Sequence, residues 1–286
     1  MLNDIEKILI QDPDDENKFS LDLGVVKRVV KDNTNEFKIN KDNKFKLALD
    51  CDDMIVNISD KWFEKIKSDA TLGKYVKDKH MEEFHLGNSA LCRSQYYLNY
   101  WLGMDNLHDV DRMLALYYND ETFYDNLEPT PYLNSLFNMI EMVETIHIIT
   151  VSGDNINNPA TLSKAKWLKE KFSPIENISL RGNEIDMHYH FLPTHIKKGQ
   201  FIKQNKIFFN SFADDSLNNV YDVIENSFDS RYEIIMPFYG FNHLVDLERI
   251  KNANTDSYIQ FVHNLTTVSQ ADFIKNLNER FIKNNS

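Results

Sequence analysis

Cysteine and positive charge are the two shortages of this chain. Only Cys51 and Cys92 occur in 286 residues, which excludes a disulfide framework and makes a reducing, cytoplasmic setting the default expectation. Thirty-two Lys and Arg against 44 Asp and Glu leave a formal charge of −12. That balance excludes the extended cationic footprint a duplex nucleic acid needs, although one small anionic ligand stays compatible if a metal or a local lysine offsets the field. No apolar run approaches the length of a membrane span, and the N-terminus shows no charged, apolar and small-residue export pattern, so no membrane association is expected. Glycine is scarce too, at eight, but its scarcity says nothing about chemistry.

What is present suits a folded protein: 42% hydrophobic residues, 12% aromatic, and 27% charged residues mixed in sign. The length fits one core fold carrying an insertion. Residues 1–43 read as an N-terminal appendage. "KFKLALD" follows, an apolar run stopping at acid, as a central parallel strand would. Residues 59–127 change to the 3.6-residue spacing of helices. From 128 to 245 strand and helix alternate: "TPYLNSLFNMIEMVE" as helix, "TIHIITVSGD" as strand, "ATLSKAKWLKEKF" as a helix with its lysines outward, "ENISLRG" as a short strand, "KKGQFIKQN" as helix, "KIFFNSFADD" as strand, "SLNNVYDVIENSF" as helix and "RYEIIMPFYGF" as a last strand. The economical architecture is α/β, a Rossmann-like parallel sheet with helices on both faces, built from 44–58 and 128–245, interrupted by the helical insertion 59–127 and followed by a helical tail, 246–286.

Open parallel sheets bind ligands at the carboxyl ends of their strands. Here those ends carry Asp50 and Asp52, then Thr150 and Ser152, then Asp214 and Asp215. Residues two apart on extended backbone point the same way, and like charges that close are unfavourable unless a cation or a proton is shared. The two acid pairs therefore suggest an all-oxygen divalent site, which favours Mg²⁺ over zinc. A rival metal constellation, His188 and His190 with His195 nearby, has zinc-like spacing and is the weaker candidate.

In order and spacing these motifs resemble those of the haloacid-dehalogenase-like (HAD) phosphohydrolases. The likeness runs from about residue 44 to 240: Asp50-Cys51-Asp52 after the first strand, "HIITVS" as the second motif, a lysine from "THIKKGQFIK" as the third, and "FADDSLNNV" as the fourth. Within that superfamily "FYDNLEPTPYLNSL" and the long helical insertion look like the 5'(3')-deoxyribonucleotidase branch. The residue after the second acid, usually Gly in the relatives, is here Asp53, followed by Met54. The resemblance implies a Mg²⁺-dependent phosphomonoesterase in which Asp50 attacks phosphorus, Asp52 acts as acid and then base, and Thr150 and Ser152 bind phosphate. It further implies that Lys198, with Lys197 and Lys203 as alternatives, neutralises charge, and that Asp50, the backbone carbonyl of Asp52, Asp214 and Asp215 hold the metal. The implied partner is a small phosphate monoester, a nucleoside monophosphate foremost. The insertion would be a cap offering Arg93, Tyr96, Tyr97 and Trp101, beside Trp62 and Phe84, to the substrate. The alternatives are another phosphate, such as a polynucleotide 3'-end or a small metabolite, or a binding module of the same fold without turnover. Oligomeric state is open, a homodimer included.

Overall fold

A computed structural model of the chain describes residues 26–29, 45–85, 95–130, 132, 133, 136, 143–178, 185–226, 233–237 and 258–262. Seven strands form one sheet: β1 (Val26–Val29), β2 (Phe45–Leu49), β3 (Val143–Val151), β4 (Asp186–Leu192), β5 (Ser211–Ala213), β6 (Glu233–Pro237) and β7 (Tyr258–Val262). Their order is β1-β7-β6-β5-β2-β3-β4. Every neighbouring pair is parallel except β1 with β7. Three of these strands depart from the sequence pattern: β4 stands in place of the strand expected at "ENISLRG", whose first residues, Glu176–Ile178, end a helix instead, and two others lie outside the stretch of expected strands. β7 lies inside the stretch expected as a helical tail, and β1 lies in the appendage; each takes its place through ladder pairing with a strand remote in sequence, which local periodicity does not register.

β2 is short and wholly apolar on its inward positions because both its faces are covered. Leu47 and Leu49 pack with Ile146, Ile148 and the helix α5 (Pro159–Ile178) through Trp167, Leu168 and Phe172. Ala48, one residue out of phase, lies on the opposite face with Ile149, Phe212 and Ile234, under α6 (Lys198–Gln204) and α7 (Leu217–Asn226). The two-residue strand period thus divides one sequence between two cores. Asn158 starts α5, its side chain accepting from the Thr161 amide at 2.9 Å, with Pro159 at the first helical position, where its missing N–H costs nothing.

Between β2 and β3 the described chain is helical, as its spacing predicts: α1 (Ser59–Ser68), a 3₁₀ turn at Gly73–Tyr75, α2 (Asp78–His85), α3 (Leu98–Leu102) and α4 (Leu107–Tyr118). This insertion has a core of its own, made of Phe63, Ile66, Leu72, Leu98, Trp101, Leu102, Met104 and Met113. A bidentate pair, Arg112 with Asp69 at 2.8 to 3.1 Å, ties α4 to the chain after α1. At its C-terminal end α4 touches the α/β unit: Tyr118 presses on Gly153, where an added Cβ would lie 2.7 Å from the ring, and Gly153 has a φ of +79°. Glycine serves both the turn and the close approach. Among the described residues no helix is long and apolar enough to cross a membrane.

Candidate functional site

The sheet order places β2 between β5 and β3, a switch in strand order of the kind at whose carboxyl ends open α/β sheets bind ligands. Leu49 pairs with Ala213 on one side and Ile148 on the other, and the Asp50 amide donates to the Ala213 carbonyl at 2.7 Å. Asp50 and Asp214 therefore leave adjacent strands at the same level. Asp50, Asp214 and Asp215 are all buried, with carboxylate oxygens within 4.8 Å of one another.

Lys198 is the lysine that meets them. It is 1% exposed, and its Nζ lies 2.8 Å from Asp50 Oδ1 and 2.7 Å from Asp214 Oδ2. Its aim depends on how closely α6 and α7 pack. A Cβ on Gly199 would fall 2.2 Å from the Asp222 carbonyl oxygen, while the Gly199 amide donates to the Asp222 carboxylate at 2.5 Å. Lys197 precedes the helix and Lys203 sits, exposed, in its last turn.

Among the described residues, Lys198 is the ammonium within ion-pair distance of Asp50 and Asp214, and burial weighs on all three carboxylates. Burial raises the Asp215 carboxyl well above the usual carboxylate range, with Asp50, Asp214 and Asp53 adding to the shift. Burial likewise pushes Asp214 up to about 6, against the pull of Lys198. For Lys198 itself burial disfavours the ammonium, but Asp214 and Asp50 outweigh it and raise its pKa. A buried cluster of hard oxygen donors fits a Mg²⁺-like cation better than a softer metal.

Asp52 belongs to a different arrangement. Its Oδ2 accepts from Lys164 Nζ at 2.7 Å and its Oδ1 from the Tyr124 hydroxyl at 2.5 Å, with the Tyr117 hydroxyl 3.4 Å from Oδ2. Lys164 is fully buried and also donates to Thr150 Oγ1 at 3.0 Å and to the Val151 carbonyl at 3.1 Å. Burial raises the Asp52 carboxyl, opposed first by Lys164.

Lys164 corrects the expectation that the lysines of α5 face outward. Its position was readable in principle: Ala160, Lys164, Trp167, Leu168 and Phe172 share one helical face, and the other four are buried apolar residues.

Beside Thr150, Ser152 is also buried; its amide donates to Leu192 O at 2.8 Å, while its Oγ has no hydrogen-bond partner among the described residues. A buried hydroxyl in that state is a ready donor for an anion.

Asp53, directly after the second acid, has a φ of +54°, in the left-handed region that Asp tolerates better than most residues. Its carboxylate accepts from the Ile58 and Ser59 amides at 3.1 and 3.0 Å and from the Ser59 hydroxyl, closing the start of α1. The turn is preserved by a side chain that fastens it. Cys51, between the two acids, is wholly buried, and burial raises its thiol, which suits packing and not nucleophilic attack.

The aromatics of the insertion divide. Trp101 is buried against Phe63 and His80 in the insertion's own core. Trp62 donates to the Met113 carbonyl and stacks on Tyr117, and Phe84 packs on Phe63. Tyr97 is 55% exposed. Tyr96 is the one that senses the acids: burial, with the charges of Asp215, Asp50, Asp214 and Asp53, holds its phenol well above the ordinary value. Arg93 lies outside the described residues.

The histidine alternative takes another form. His188 and His190 on β4 gather with His147 on β3, not with His195. His147 Nδ1 and His190 Nε2 are 3.2 Å apart in ring planes 20° from parallel, with centroids 5.4 Å apart. This contact engages one nitrogen of each ring with the other, and among the described residues the group close enough to hold a metal ion is Asp50, Asp214 and Asp215.

No family model matches the chain and no curated protein matches it. Two solved structures superpose distantly. One is described as a haloacid dehalogenase-like hydrolase from Burkholderia xenovorans, 14% identical over 84% of this chain and 98% of that one, with a TM-score of 0.34. The other is described as a dehalogenase, 10% identical over 80% and 96%, with a TM-score of 0.36. Both likenesses are remote in sequence and in superposition, so the chemistry has to be read from the residues themselves.

Proposed function

We propose that the chain is a HAD-like, Mg²⁺-dependent phosphomonoesterase that works through an aspartyl-phosphate on Asp50, with a nucleoside monophosphate, foremost a deoxyribonucleotide, as substrate. The observation that carries the reading is the Lys198 ammonium spanning Asp50 and Asp214 inside a buried cluster of three carboxylates. Three carboxylates with ligand oxygens within 4.8 Å of one another at adjacent strand ends suit a shared cation. Asp50, Asp214, Asp215 and the Asp52 carbonyl would hold the cation, which when bound offsets charge on the transferring phosphoryl group.

The remaining steps belong to the chain. An Asp50 oxygen attacks phosphorus as the bond to the ester oxygen breaks, and Asp52 gives that oxygen a proton. Water then attacks the phosphoryl group, Asp52 takes the water's proton, inorganic phosphate leaves, and Asp50 is free again. The Ser152 hydroxyl and Thr150 suit the phosphate oxygens, and Lys198 keeps the nucleophile ionised. Tyr96, feeling the same acids from the insertion, supports a substrate whose organic part lies toward that insertion. A base stacked on Tyr96 or Tyr97 would suit a nucleotide.

The test is phosphate release from ribo- and deoxyribonucleoside 5'- and 3'-monophosphates, with and without Mg²⁺, by the wild type and Asp50→Asn. Mg²⁺-dependent release abolished by the substitution is expected. Release from an aryl phosphate but from no nucleotide would overturn the nucleotide substrate and retain the phosphatase. Silence on both would leave a binding module.

A further inference from the structure

Asp52 has to hand a proton to a leaving group and then take one from water, so its two oxygens cannot be equivalent. From the contacts on them we infer that Tyr124, backed by Tyr117, is the positioning residue that holds Asp52 for proton transfer; the inference rests on the phosphomonoesterase reading. Oδ2 faces the Lys164 ammonium at 2.7 Å, a group that only donates and that is itself fixed by Thr150 and the Val151 carbonyl. Oδ1 faces the Tyr124 hydroxyl at 2.5 Å, which can donate to a carboxylate or accept from a carboxylic acid. The Tyr117 hydroxyl stands 2.8 Å behind it, where either member of that pair can be the donor, and makes a longer contact of 3.4 Å with Oδ2. A chain of two phenols can therefore reverse its hydrogen bonds as the proton on Asp52 comes and goes, which a lysine cannot do.

The supports of the pair are rigid and separate in sequence. Tyr124 is fully buried, and its amide donates to Ser163 Oγ, one residue before Lys164, at 3.0 Å. Tyr117 belongs to α4 and packs edge-on against Phe123 at 4.6 Å. Phenylalanine at 124 would fill the same space, so the hydroxyl is what distinguishes a positioning role from a packing one.

The experiment compares kcat/KM of the wild type, Tyr124→Phe, Tyr117→Phe and Asp52→Asn on two esters. One is p-nitrophenyl phosphate, whose leaving group needs no proton; the other is the nucleoside monophosphate turned over best, whose alkoxide does. Because kcat/KM ends at transfer to Asp50, it isolates the step in which Asp52 acts as acid. Tyr124→Phe should lose about 10- to 100-fold on the nucleotide and less than about threefold on p-nitrophenyl phosphate, the same pattern as Asp52→Asn at smaller amplitude. Tyr117→Phe, which leaves Tyr124 in place, should show the pattern more weakly, and it carries the test if Tyr124→Phe does not fold. Equal losses on both esters, or none on either, would overturn the positioning role while leaving the phosphatase intact. If Asp50→Asn retains the wild-type rate, the phosphomonoesterase reading falls first, and the inference with it.

Discussion

The two acids of the first strand end, two residues apart, sit in opposite electrostatic situations. Asp50 gathers with Asp214 and Asp215 in one buried cluster, and Lys198 spans Asp50 and Asp214. Asp52 instead pairs with the buried Lys164 and accepts from the Tyr124 hydroxyl. The first arrangement suits a cation and the second fixes one carboxyl, and the proposed roles of nucleophile and acid rest on that difference between residues the local sequence treats alike.

The largest effect that would break this contrast is on turnover. Asp50→Asn should lower kcat by roughly a thousandfold or more, as removal of a nucleophile does. Residual phosphate release near the wild-type rate would return the two acids to equivalence. Next in size is the response to metal: saturating Mg²⁺ at a hundredfold excess over its dissociation constant should raise Tm by about 5 °C, reversibly with EDTA, and Asp215→Asn should lose most of that shift. A Tm indifferent to Mg²⁺ would mean that the carboxylate charge is met by protons instead.

The two lysines sharpen the same comparison. Lys164→Met strands a mostly buried Asp52 and should cost about 3 kcal/mol in urea denaturation, whether or not Mg²⁺ is present. Lys198→Met should cost a similar amount without metal and recover part of it with Mg²⁺, because the cation neutralises the same carboxylates. Recovery of both variants, or of neither, would erase the distinction.

The smallest effect lies away from both acids. Burial, then His188 and His190, lower His147 to about 4, while Asp186 pulls it up and Lys46 pushes it down. Its folded value lies below the ordinary 6.5, so the unfolded chain takes up more protons between those values. The contribution is complete above pH 6.5 and lost as pH falls toward 4. Half-buried, it should amount to about 1 kcal/mol after solvent screening. His147→Gln should flatten the urea midpoint between pH 4.5 and 7; an unchanged slope would place the pH dependence in the carboxylates.

Much of the fold was legible because burial on both faces turns a strand into an apolar run, and the runs here stop at the acids. Asp50, Asp214 and Asp215 could be placed on strand ends in that way. Lys198 could be narrowed to three lysines, since a helix start is visible in sequence but the direction of one side chain is not. Lys164 escaped because a lysine on a helix is ordinarily solvated; only its place on the face of Ala160, Trp167 and Leu168 marked it. Trp101 and Tyr96 both had the helical spacing of core aromatics. Packing sent the first into the insertion's core and left the second among the field of the acids.

By itself the sequence determined the α/β alternation, the helical character of the insertion and the acid-bearing strand ends, because each follows from periodicities a few residues long. The tertiary structure alone decided which lysine meets which aspartate, that two tyrosines close over Asp52, and that the strands Val26–Val29 and Tyr258–Val262 pair across more than 200 residues. Those choices depend on segments distant in the chain arriving at one place, and an energy shared between distant segments leaves no period in either of them.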